Sequence, residues 1–199
     1  MSYSTVLISI ASSFAISGMF SRTLGFTKRG ACKAVFVLFC VWVLNGFVAA
    51  PFEEAAVSPG CLALATAAYS AAVIKEETNG ALSLLTAAAS GAFCAWVFTD
   101  GYASYGIIVS AVLGALLACF LKRPYTTMAS ASLAPLFTAF LSFVFHYYRD
   151  GYANLALTEE ALTAQLLGVL ASLPLSFAAI SNTKARRTSD REQSYERTI

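Results

Sequence analysis

The single histidine of the chain, His146, stands four residues before Asp150 in "FHYYRDGYANLA", with Arg149 beside the carboxylate. That spacing puts an imidazole and a carboxylate on one helix face, where the contact between them changes with protonation. The pair suits an external gate or a pH-sensitive rim, and a solvated helix end is the plainer reading. The tetrapeptide Asp-Gly-Tyr-Ala of positions 150–153 also occurs at 100–103, in "AWVFTDGYASYG", which makes Asp100 the counterpart of Asp150. Further polar side chains lie inside long apolar runs: Asn45, Thr86, Thr138 and, at the start of the last run, Gln165. An amide or hydroxyl surrounded by hydrocarbon seeks a partner on a neighbouring helix. Asn45, Thr86, Thr138, Asp100, Asp150 and His146 therefore form the candidate substrate-binding set.

Nothing in the chain signals catalysis. It lacks H-E-x-x-H, G-x-S-x-G, a nucleotide-binding glycine loop and paired aspartates inside an apolar run. Its five cysteines show no C-x-x-C spacing, and one histidine is too few for a conventional protein metal site. The expectation is a protein that is not an enzyme, with no cofactor and no metal.

The residues around these positions set the solvent. Of 199 residues, 58% are hydrophobic and 12% charged, against about 25% charged in an ordinary soluble domain. A soluble core of this length cannot hide so much apolar surface. Lipid can, and the expected fold is an all-α membrane protein. Spanning a bilayer takes roughly 20 apolar residues of helix, with about 17 as a lower bound. Seven stretches meet or approach this: 5–20, 34–52, 59–74, 81–98, 105–121, 129–148 and 164–181. The third is short and alanine-rich, but Ser58 can cap its start and Pro59 suits a first helical position.

Basic residues test the count. With seven spans, twelve of the thirteen Lys and Arg fall in one set of alternate connections and only Arg149 in the other. The positive-inside rule then sets the N-terminus outside and the C-terminus inside. The first run carries no basic residue before it, which reads as a reversed first helix rather than a cleaved signal peptide. A chain of this kind is expected in the inner (cytoplasmic) cell membrane.

"VWVLNGFVAA" loosely parallels the two Asp-Gly-Tyr-Ala segments, so the spans read as one leading helix followed by three helical hairpins. The alternative is turn punctuation at helix ends, since Asn-Gly and Asp-Gly accept positive φ and tyrosine suits the headgroup level. Small residues recur every four positions at 9/13/17, 63/67/71, 87/91/95, 110/114/118 and 168/172/176, as close helix packing requires. Residues 1–182 form the expected transmembrane bundle, and 183–199 a disordered, basic cytoplasmic tail poised to meet anionic headgroups.

The segment "KRPYTTMASASLAPLF" and the hairpin after it resemble the last helices of small amino-acid exporters over about a third of the chain. The proline-glycine pair expected after the leucine is missing, and no residue role is carried across. The expected function is a small membrane permease, or permease subunit, for a neutral or zwitterionic solute. The alternative is a non-transporting accessory, assembly or immunity-type subunit that binds another integral membrane protein. Expected partners are the lipid bilayer and a second copy or another membrane protein; nucleic acid is not among them.

Overall fold

The computed structural model describes residues 2–18, 28–52, 55–76, 80–98 and 103–196. Seven helices run through them: α1 (Tyr3–Ile16), α2 (Lys28–Asn45), α3 (Pro59–Glu76), α4 (Ala81–Val97), α5 (Ala103–Cys119), α6 (Pro124–Asp150) and α7 (Glu159–Glu196). Three short strands accompany them: β1 (Ala49–Phe52), β2 (Ala55–Val57) and β3 (Leu155–Leu157). The chain is mostly helical, and each apolar stretch of the sequence contains one helix.

Local chemistry sets several of the helix ends. Ser58 stands before α3, and its hydroxyl accepts from the Gly60 amide at 3.3 Å, with Pro59 as the first helical residue. Pro124 opens α6, where its missing N–H leaves no donor unsatisfied. Gly151 closes α6 at φ 72°, a conformation that costs a residue with a Cβ, and its amide bonds Tyr147 O at 3.0 Å. The second Asp-Gly-Tyr-Ala is thus a helix stop. In the first, positions 100–102 lie outside the described residues.

Helix bounds and stretch bounds do not coincide: α1, α2 and α4 are shorter than their apolar stretches, whereas α3, α6 and α7 run past theirs. The expected span 34–52 stops being helical at Asn45, and its last residues form β1. Among the described residues, only α6 is both long and apolar enough to cross a membrane, with 27 residues that include an 18-residue stretch of mean hydropathy 1.7. At about 1.5 Å per residue, helices of 14–18 residues span roughly 21–27 Å, less than the ~30 Å of a hydrocarbon core. Backbone helix in α7 continues to Glu196, through the stretch whose composition reads as a disordered tail.

Two contacts fix which connections lie together. Strand β2 pairs antiparallel with β1 and parallel with β3, with Ala55 opposite Leu155 and Val57 opposite Leu157. This small sheet joins the α2–α3 and α6–α7 connections at one end. At the opposite end, the Glu76 carboxylate accepts from the amides of Tyr125 and Thr126 at 2.8 and 3.0 Å, and from the Thr126 hydroxyl at 2.5 Å. A carboxylate on those amides caps the positive end of α6 from another helix. Lys75 and Arg123 adjoin this clamp, whereas Arg149 lies toward the sheet.

Helix α6 is the hub, packed against α3, α4, α5 and α7. Glycine makes the approach close. A Cβ at Gly91 of α4 would sit 2.6 Å from Phe137 Cβ and 3.0 Å from Thr138 N. One at Gly114 of α5 would sit 3.0 Å from Ala134 Cβ and 3.1 Å from Ser130 O, and one at Gly168 of α7 would sit 3.0 Å from Ala131 O. The rows 87/91/95, 110/114/118 and 168/172/176 are all buried, as small-residue packing requires. The row Ser9, Ser13 and Ser17 differs: it is exposed, and its hydroxyls bond back to carbonyls of their own chain. Gly91→Ala is expected to lower unfolding stability by about 1–3 kcal/mol, because the α6 backbone must move to admit one methyl. Denaturation of the purified protein in detergent measures this, and an unchanged midpoint would contradict the close α4–α6 approach.

Candidate functional site

The helix pair α2–α3 packs differently at its two ends. Near the sheet, Gly60 meets α2 backbone to backbone: a Cβ there would lie 2.8 Å from Val41 O and 3.1 Å from Asn45 N. Ser58 Oγ adds a hydrogen bond to Asn45 Oδ1 at 2.9 Å, which fastens the connection across the pair. Toward the other end the helices part around a cavity of about 520 Å³. That lies within the usual range of small-molecule sites, about 300–1,000 Å³. A second, more open hollow of about 440 Å³ lies between the same helices, lined by Phe36, Cys40, Leu62 and Thr66.

The larger cavity has apolar walls and a cationic rim. Val37 and Leu38 of α2, Leu64 of α3, and Leu166 and Val169 of α7 line its deeper part. Arg29, Lys33 and Lys75 line it at the end of the Glu76 clamp, with Tyr125 and Met128 of α6 beside them. Helical spacing explains the grouping. Arg29, Lys33 and Val37 are four apart on α2, and Ala67, Ala71 and Lys75 are four apart on α3. The row 63/67/71, read from the sequence as a close-packing stripe, is only half-buried and contributes Ala67 and Ala71 to the cavity wall. Glu76 follows Lys75 directly, but its carboxylate is committed to the start of α6.

The residues expected to bind substrate do not converge on this cavity. Asn45 lies at the sheet end of α2, bonded to Ser58. Thr86 of α4 shares a hydrogen bond with Ser130 Oγ of α6 at 2.9 Å, and also donates to Leu82 O. Thr138 is buried and donates to Ala134 O of its own helix at 3.0 Å. No continuous polar path joins the three among the described residues. Each acts locally, and only the Thr86 bond links two helices.

His146 and Asp150 do share a face, with Nδ1 and Oδ2 3.2 Å apart, and Arg149 Nε donates to Asp150 Oδ1 at 3.0 Å. The cluster is at the sheet end of α6, and Arg149 and Asp150 are exposed there. Asp100 lies outside the described residues. Hydrogen bonds from Arg149, and then from His146, hold the Asp150 carboxyl below its ordinary range. Charge on the carboxylate is what those bonds favour. Their contribution is therefore present above the ordinary carboxylate range and is lost as pH falls through the lowered value.

Sequence reasoning misses the cationic rim because, in the sequence, Arg29, Lys33 and Lys75 speak first to orientation. The available signal is helical spacing: Arg29, Lys33 and Val37 share one row of α2, and Lys75 continues the row of Ala67 and Ala71 on α3. Sequence reasoning also gives Gln165 little weight. Gln165 is fully buried, and its Nε2 donates to Cys61 O of α3 at 3.2 Å and Ser132 O of α6 at 2.8 Å, tying three helices together. No protein-family model, no curated protein and no solved structure matches this chain.

Two outcomes follow from these contacts. Thr86→Val is expected to cost about 0.6–1.7 kcal/mol, one interhelical hydrogen bond, and Thr138→Val less than about 0.5 kcal/mol. Equal losses in paired denaturation curves would contradict the assignment. An NMR titration should find the Asp150 carboxyl below a free aspartate, and His146→Ala should move it upward; no movement would mean that His146 does not support the carboxylate.

Proposed function

We propose that the chain is an integral membrane protein of seven spans, N-terminus outside and C-terminus inside, built as one helix and three hairpins. It works as a small permease or permease subunit in the cytoplasmic membrane, and the α2–α3 cavity, reached from the basic side, is its ligand site. One observation carries this reading: α2 and α3 part around a cavity of ligand size whose rim holds Arg29, Lys33 and Lys75. Composition and the twelve-to-one division of basic residues support the membrane and the orientation. Local thinning of the bilayer and snorkelling of flanking residues accommodate helices of roughly 21–27 Å.

The accessory-subunit reading has its own support. The candidate polar residues form no path through the bundle, and α2 exposes Phe36, Phe39 and Trp42 on one side. A protein whose work is to hold another membrane helix would use such a surface.

Labelling with a membrane-impermeant maleimide decides the topology. Cys32, exposed near the basic end of α2, should react only after the membrane is opened, while Tyr152→Cys in a cysteine-free background should react in intact cells. Both labelling from one side would overturn the seven-span arrangement. Native mass spectrometry after gentle extraction separates the two functions. A lone chain or homo-oligomer supports the permease, and a stoichiometric complex with a different membrane protein supports the accessory role.

A further inference from the structure

The chemistry of the α2–α3 cavity names its occupant more narrowly, given the reading above that this cavity is the ligand site. Its depth offers Val37, Leu38, Leu64, Leu166 and Val169 and therefore few groups able to replace water around a polar solute. Its rim offers three cations and, among the described residues, no carboxylate lines it. Glu76, the acidic side chain next to Lys75, is occupied by the amides of Tyr125 and Thr126 and the Thr126 hydroxyl. A neutral or zwitterionic solute uses one half of this site poorly, because either the cations stay unmatched or the apolar depth stays unfilled. A free inorganic anion uses the rim and leaves the depth empty.

We infer that the cavity binds an anionic phospholipid from the basic-side leaflet, with an acyl chain between α2 and α3 and the headgroup phosphate on Arg29, Lys33 and Lys75. The charge requirement is met by one phosphodiester, and basic pockets between membrane helices on that side recognise such headgroups. The apolar requirement is met by the chain, which gains by filling a cavity that helix side chains leave open. The fit at the sheet end also matters. Gly60 holds α2 and α3 together there, so the acyl chain has a floor, and the cations of this cavity lie at its opposite end.

The test uses the full chain in nanodiscs of phosphatidylcholine with a minority of phosphatidylglycerol, released gently into a native mass spectrometer. Wild type should retain one phosphatidylglycerol per chain in preference to phosphatidylcholine. The variant Arg29→Gln/Lys33→Gln/Lys75→Gln should lose that preference by about 10–100-fold. Lys122→Gln/Arg123→Gln, at the same end but outside the cavity, should keep it. Should the triple variant fail to fold, Ala67→Leu/Ala71→Leu keeps every charge, fills the wall and should also abolish retention. Equal loss in the Lys122/Arg123 variant would mean general attraction to a basic surface and would overturn the site. Displacement of the lipid by millimolar inorganic phosphate, without regard to the acyl chain, would assign the rim to free anions and overturn the lipid. If maleimide labelling supports seven spans and no lipid is retained, this inference fails while the membrane reading stands; if labelling contradicts the spans, the reading fails first.

Discussion

The close approach of three helices to one stretch of α6 is the constraint on which the rest of the bundle depends. Between Ser130 and Thr138, α6 meets Gly91, Gly114 and Gly168, each with too little room for a methyl group without movement of its neighbours. Packing of this kind needs no water to drive it. Dispersion between surfaces in contact, and hydrogen bonds such as Thr86 to Ser130, serve equally in lipid. Gln165 extends the same logic to α3, since its amide reaches carbonyls of both α3 and α6 from α7. The price is a buried Gln165 Oε1 with no partner among the described residues.

Once α4, α5 and α7 have closed on α6, the remaining helices inherit a looser role. Helix α2 packs on α1 and α3, outside that set, and α3 reaches α6 mainly through its alanine-rich face. Alanine fills little volume, and Ala67 and Ala71 leave part of the α2–α3 interface to the cavity. The low side-chain volume that makes α3 a weak candidate span in the sequence is also what makes space beside it. Charge follows the same division. Glu76 neutralises the start of α6, and its neighbour Lys75 is left to the cavity rim.

How much of this is legible in the sequence depends on the range of the interaction. Local chemistry reads well: Ser58 and Pro59 do open α3, Gly151 does stop α6, and His146 does meet Asp150 one turn later. Helix positions follow from apolar runs, but their lengths do not, because the residues after Asn45 leave the helix for the edge strand of a sheet whose far strand, β3, is a hundred residues away. Strands of three or four residues carry too few alternations to announce themselves. Small-residue rows show that helices pack closely without naming the partner, which is why Gly91, Gly114 and Gly168 could be recognised and their shared target could not. The cavity is least legible of all, since it arises from what α2 and α3 fail to fill. Whether these helices cross a bilayer rests on composition and charge, which act through the solvent rather than through any contact in the chain.

The small sheet has a mechanical consequence. It joins the connection between α2 and α3 to the one between α6 and α7, and Gly60 lies only a few residues beyond β2. Both fastenings act at the same end, so α3 is a rod of about 27 Å held at its base. Tilting such a rod by about 5° moves its far end by roughly 2 Å. That far end carries Lys75 and Glu76 and is tied to α6 through the Glu76 side chain described above, so the same small swing that widens the mouth also pulls on the carboxylate seated over α6. Opening the cavity and loosening the cap of the central helix are, in this architecture, one motion.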